Sequence, residues 1–207
     1  MFENKAGSQP SGRPAPVQRR GVERVRAILE AAEVLLCEQG YEGSTLKAIG
    51  ERTGIPQASI YHYFGDRNQV DVELARRHVH ELDIRIIAAL ERRVSKNLNQ
   101  AIVVYVDLLL TYFREFPAFV ELWYFGRSPA VAEVAQAFDE AQAELFWRYL
   151  IDRNFIGADT PRLVVELAFE AGNKLFDAAF RRSRSGDELT IAETKRLINA
   201  YLSTYAP

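Results

Sequence analysis

Residues 45–64 read TLKAIGERTGIPQASIYHYF, and the punctuation of this stretch decides the fold. Ser44 or Thr45 supplies an N-cap, after which Leu46, Ile49 and the methyl of Thr53 fall on one helical face. Gly54 suits the left-handed residue that ends a helix, and Pro56 fits the first turn of the next one. From Gln57 a second helix sets Ile60 and Phe64 at i,i+4 on its buried side. Gln57, Ala58, Ser59, Tyr61 and His62 then face outward. Two helices joined by a short Gly-containing turn form a helix-turn-helix, whose second helix enters the major groove of DNA.

Upstream, the apolar positions Val22, Val25, Ile28, Leu29, Ala32, Leu35 and Leu36 recur at three- and four-residue steps and predict a helix that Gly40 ends. Residues 19–66 therefore make a three-helix unit. Residues 1–18 are rich in Pro, Gly and Ser and read as a disordered arm. Residues 1–28 hold six basic side chains, Arg19 and Arg20 among them, against Glu3 and Glu23, a local charge of +4. Such an arm supplies phosphate contacts to a neighbouring DNA reader.

Downstream, Asp66 caps a long helix to about Glu91 with the spine Val70, Leu74, His78, Leu82, Ile86 and Leu90. Further helices are predicted from Asn97, Pro117, Ser128-Pro129, Thr160-Pro161 and residue 187, and no stretch alternates as a strand. The expectation is an all-α chain of about nine helices, with a second domain over residues 67–207.

The chain has 207 residues, 48% of them hydrophobic, and a net charge of −2, which excludes a general nucleic-acid coat or a basic membrane-surface protein. A single cysteine, Cys37, excludes an internal disulfide framework and reads as a half-buried core residue. No signal peptide or bilayer-length apolar run is present, so a cytoplasmic location is expected. His62, His78 and His80 lack metal-ligand spacing, and no P-loop, GxSxG or GxGxxG pattern occurs. No enzyme activity, metal or cofactor is expected.

An eighteen-residue helix followed by ST-x-x-x-I-x-x-x-x-G-I-P-x-x-S-I-Y-x-Y-F-x-x-R resembles the tetracycline-repressor (TetR) family of transcriptional regulators. The resemblance covers residues 20–70, through Gly40-Tyr41, Thr45, Ile49, Gly54, Ile60 to Phe64, and Arg67. It departs from the family at Pro56, where a capping Ser or Thr is usual, and at Arg67, where Lys is usual. It implies a homodimeric regulator, a repressor released from a palindromic DNA operator by a small hydrophobic or aromatic effector, with a ligand-independent or protein-regulated DNA binder or an activator of the same fold as the alternative. Gln57 suits an adenine edge, Ser59 several bases and Ala58 a thymine methyl. Tyr61 and His62 suit phosphates, as the family pattern also implies. Ser44 or Thr45 with the helix N-terminus forms one anion site, and Arg67 a second.

In the remainder, the helix from Pro161 carries Phe169, Asn173, Phe176 and Phe180 on one stripe and Leu167, Ala171 and Ala178 on the other. The first stripe faces a pocket and the second another helix. His78, Tyr105, Leu109, Tyr112, Trp123, Phe138, Phe146, Phe169, Asn173 and Phe176 are the candidate pocket residues, with Asn173 as polar handle. For His78, packing between domains is the simpler reading. Asp107 shares a polar stripe with Gln100, Thr111 and Arg114 and reads as surface. A four-helix dimer interface is expected from Leu167, Ala171 and Ala178 with Ile191, Ile198, Tyr201 and Leu202. The expected partners are double-stranded DNA, a second copy of the chain and a small apolar or aromatic effector.

Overall fold

The computed structural model describes residues 16–92, 95–126 and 128–207, with side chains from Arg20 onward. Among these residues lie nine α-helices and no strand. They are α1 (Pro16–Gly43), α2 (Leu46–Thr53), α3 (Gln57–Tyr63), α4 (Arg67–Arg92), α5 (Leu98–Glu115), α6 (Pro117–Val120), α7 (Pro129–Asp152), α8 (Arg162–Arg182) and α9 (Glu188–Ser203). A single π-helical stretch, Glu121–Gly126, continues α6. None of these helices is long and apolar enough to cross a membrane.

The helix boundaries follow the chemistry of their caps. Thr45 is the N-cap of α2 and accepts from the Ala48 amide at 3.1 Å, and Gly54 ends that helix at φ 68°. Asp66 accepts from the Gln69 amide while Gln69 accepts from the Gly65 amide, 2.9 and 2.8 Å, a reciprocal exchange that starts α4. Asn97, Ser128 and Asp187 cap α5, α7 and α9 through their side chains. Thr160 does not repeat the device. Pro161 is the N-cap of α8, and the Thr160 carbonyl accepts from the Trp147 indole at 2.9 Å.

Three other expectations change. The helix of α1 begins at Pro16, inside the segment read as a disordered arm; residues 1–15 lie outside the described residues. Val22 is 69% exposed, so the apolar face of α1 begins at half-buried Val25. Cys37 is exposed rather than half-buried, because it lies beside the Leu35-Leu36 face and not on it.

Two hydrophobic cores form. The first gathers Ile28, Leu35, Leu36, Ile49, Ile60, Phe64, Val70 and Leu74, the second Leu82, Ile86, Ile102, Phe113, Phe146, Val165, Phe176 and Leu202. Helix α4 belongs to both, and so does the segment from Pro117 to Gly126. Ala118 and Leu122 sit in the first core, Phe119, Val120 and Tyr124 in the second.

Gly54 is the position most dependent on its residue type. A Cβ there meets nothing within 4 Å, so the requirement comes from the left-handed backbone alone. Gly54→Ala is expected to lower unfolding stability by about 1–2 kcal/mol with the fold intact, and Gly54→Asn by less. Urea denaturation of the three proteins measures this, and an unchanged Ala variant contradicts it.

Candidate DNA-reading face and effector cavity

The outer face of α3 is built as the pattern requires. Ile60 is fully buried and Phe64 nearly so, which turns Gln57, Ala58, Tyr61 and His62 to solvent and leaves Ser59 half-buried. Pro56 caps α3 without a side-chain bond, so only backbone groups present themselves at its start. Arg20 is exposed near the other end of the unit, whereas the Arg19 side chain lies outside the described residues.

Two residues assigned to this face are turned elsewhere. Ser44 is fully buried, and its hydroxyl donates to the Ala32 carbonyl at 3.4 Å. Thr45 alone is the cap, because the chain leaves α1 with Ser44 pointing back onto it. Arg67 is not a free anion site. Its guanidinium lies 4.3 Å over the Tyr41 ring and donates to Asp71 Oδ1 at 2.9 Å and to the Tyr41 carbonyl at 3.0 Å. The Tyr41 hydroxyl donates to the other Asp71 oxygen at 2.9 Å. Burial, with the Asp71 carboxylate beside it, pushes the Tyr41 phenol up to about 12, so it remains a donor at neutral pH. The fork that seemed suited to phosphate instead ties α4 to the end of α1.

The second core encloses an aromatic cavity. Its walls include Tyr105 and Leu109 from α5, Trp123 and Tyr124 from the π-helical stretch, Phe138, Asp139 and Phe146 from α7, Phe169, Asn173 and Phe176 from α8, and Ile198 and Leu202 from α9. Eight of the ten candidate pocket residues meet here. His78 and Tyr112 do not. His78 is buried between the cores, accepts or donates at Nδ1 with the Tyr112 hydroxyl at 2.9 Å, and stacks on Phe119 at 4.5 Å. Its Nε2 lies 3.5 Å from the Glu33 carboxylate. That contact holds Glu33 below the usual carboxylate range.

The free space in the cavity is about 50 Å³, whereas pockets for drug-sized ligands span roughly 300–1,000 Å³. A ligand of that size enters only if rings turn aside. Trp123 and Phe138, in edge contact at 6.3 Å, and Phe169 are half-buried and free on one side. Asp139, Asn173, Trp123 and Phe169 also line an open groove between α7 and α8, so they form the wall between cavity and surface.

Asn173 serves a different group from the one expected. Its amide donates to Asp139 Oδ2 at 2.7 Å. Burial raises the Asp139 carboxyl to about 6, against the opposing Asn173 bond. Sequence reasoning missed Asp139 because it opens the polar run Asp139-Glu140-Ala141-Gln142, which reads as solvated. Asp107 lies on the surface as expected, half-exposed and paired with Lys195.

The expected dimer residues divide. Leu167 is 50% exposed, and Leu163 on the same helix and Leu197 on α9 are exposed as well. Ile191 and Leu202 are buried in the chain's own core, so these two are not available to a partner, and half-buried Ile198 packs onto Gly172 of α8. Tyr201 packs partly on the same core. The apolar stripe of α9 was legible, but it closes the cavity within one chain.

Comparison with known proteins accords with this geometry. The family profile described as "Bacterial regulatory proteins, tetR family" matches residues 28–71, and "Tetracyclin repressor-like, C-terminal domain" matches residues 97–202, half of the chain. The HTH-type transcriptional repressor AcnR of Corynebacterium efficiens is 43% identical over 49 residues, 24% of this chain and 26% of that protein. The chain thus matches about a quarter of the length of these curated relatives. A TetR-family transcriptional regulator from Streptomyces coelicolor superposes with a TM-score of 0.69 at 28% identity, over 88% of this chain and 99% of that one. The fatty acid degradation regulator FadR of Bacillus halodurans has the same fold, with a TM-score of 0.65 at 14% identity over 92% and 97% of the two chains. The chain belongs to the TetR family of bacterial regulatory proteins, which act as DNA-binding transcription factors and not as enzymes.

Proposed function

We propose that the protein is a homodimeric repressor that leaves a palindromic operator when a small aromatic or apolar effector fills the cavity. The observation that carries this reading is the segment from Pro117 to Gly126, because its side chains enter both cores. Trp123 and Tyr124 form cavity wall, while Leu122, one residue earlier, is fully buried against the DNA-reading unit. A ligand that displaces Trp123 therefore moves a backbone that is packed against α1.

Two further contacts support coupling in the same place. A Cβ on Gly126 would lie 2.6 Å from the Tyr41 ring, so the Gly126 backbone packs directly on that ring at the end of α1. Buried Glu121 pairs with Arg184 at 2.8 Å, joining this segment to the turn between α8 and α9. The effector's binding energy shifts a two-state equilibrium, and DNA and effector oppose each other reciprocally. One short helix reads few base pairs, so two copies are required, with α3 helices separated by about 34–36 Å. The exposed outer face of α8, with Leu163, Leu167 and half-buried Ala171 and Ala178, supports dimerisation there.

Selection of the full-length protein against a random duplex library tests this directly. The expected outcome is a near-palindrome with half-sites about one helical turn apart; enrichment of no sequence contradicts it. Any compound that weakens operator affinity by a given factor should itself bind the operator complex more weakly by the same factor. Within the reading face, Gln57→Ala is expected to reduce discrimination against a mismatched half-site by about 1–3 kcal/mol. Tyr61→Ala should instead weaken binding to every sequence and flatten its salt dependence. Equal losses on operator and random DNA for Gln57→Ala contradict the assignment of Gln57 to a base.

A further inference from the structure

We propose that the effector carries a protonated amine on an aromatic body, with the Asp139 carboxylate as its ion-pairing anchor. This inference rests on the effector-gated reading above and assigns the chemical class of the ligand. Among the described residues that line the cavity, Asp139 is the one carboxylate, and no basic side chain is among them. The remaining polar groups there are Asn173, the phenols of Tyr105 and Tyr124 and the indole N–H of Trp123. A carboxylate offers about four acceptor sites, and among the described residues the side chain that donates to Asp139 is the neutral amide of Asn173. Asn173 orients the carboxylate without neutralising it.

Asp139 is half-buried, and a carboxylate partly removed from water without a cation is stabilised by a ligand that brings one. The surrounding rings suit the same ligand. Trp123, Phe138 and Phe169 border the cavity beside Asp139, and their faces attract a cation as well as a flat apolar body. An effector bearing a carboxylate or phosphate would meet Asp139 with like charge in an apolar wall.

The charged groups nearest this wall leave Asp139 as the anchor. Glu170 on α8 adds negative charge and raises the Asp139 carboxyl further. Glu140 on α7 and Glu166, Lys174 and Arg162 on α8 line the outer groove and not the cavity. Arg162 is bonded to Glu144 and Glu166. On α4, Asp83 accepts from Gln142 at 2.8 Å, which in turn lies 3.4 Å from the Tyr105 hydroxyl. The walls from α5, the π-helical stretch and α9 contribute no charge.

Three probes with one ring system test the assignment: 2-naphthylmethylamine, 2-naphthylmethanol and 2-naphthoate, titrated by calorimetry into the full-length protein. At about pH 7.5 the amine should bind at least tenfold more tightly than the alcohol, about 1.4 kcal/mol, and the carboxylate most weakly. In Asp139→Asn, a near-isosteric change, the amine should fall to the level of the alcohol while the alcohol is unaffected. In the unaltered protein the amine's advantage should shrink as pH falls to about 5, where Asp139 gains its proton and the amine keeps its charge. Equal binding of amine and alcohol, an advantage that survives Asp139→Asn, or no binding of any probe overturns the proposal. Operator binding by the same protein separates the two readings. Intact sequence-specific binding without an amine preference removes the anchor only, whereas loss of sequence-specific binding removes the regulator.

Discussion

The ten residues from Pro117 to Gly126 pack into two hydrophobic cores at once, and the arrangement of both halves depends on this. Ala118 and Leu122 lie against α1 and α4 in the smaller core, and Phe119, Val120 and Tyr124 lie in the larger one. Close-packed interiors transmit displacement because they hold few voids to absorb it. The π-helical turn from Glu121 to Gly126 fits this position. Leu122 and Tyr124, two residues apart, leave this turn on opposite sides and enter one core each. Such turns are rare and often occur at functional sites.

A second link crosses the same boundary through polar groups. His78 on α4 meets Tyr112 on α5, Phe119 on α6 and Glu33 on α1. Nearer the DNA-reading face, the Arg67–Asp71–Tyr41 cluster ties the start of α4 to the end of α1. Buried and half-buried hydrogen bonds such as those of His78 with Tyr112 and of Arg67 with Asp71 are directional and restrict geometry more than apolar contacts do. The smaller unit is therefore held in a defined orientation rather than merely adhering to the larger.

The cavity departs from the pattern of an ordinary core at Asp139. An apolar residue there would pack among Trp123, Phe138 and Phe169 without a desolvation penalty. Local violations of this kind concentrate at functional sites, where stability is exchanged for recognition. The same region is nearly filled by its own rings, so the protein's rest state already occupies the space that a ligand requires.

Much of this was legible in the sequence where a local rule applies. Thr45, Gly54 and Pro56 fix the two helices and their turn, since caps and left-handed residues are set by backbone chemistry within a few positions. The 3.6-residue spacing of Ile60 and Phe64 sets which side of α3 faces out. Of the eight cavity residues expected, Phe169, Asn173 and Phe176 followed from one stripe on a predicted helix. What the sequence left open concerns partners distant along the chain. Ser44 and Arg67 carry the right chemistry for DNA, yet Ala32, Tyr41 and Asp71 engage them. Ile191 and Leu202 form an apolar face of α9, but only the packing of α9 on α5 and α8 decides that this face closes a cavity in one chain. Asp139 looks solvated within its polar run, and only the close approach of α8 places Asn173 and the rings around it. Periodicity states that a face is buried; tertiary contact alone states against what.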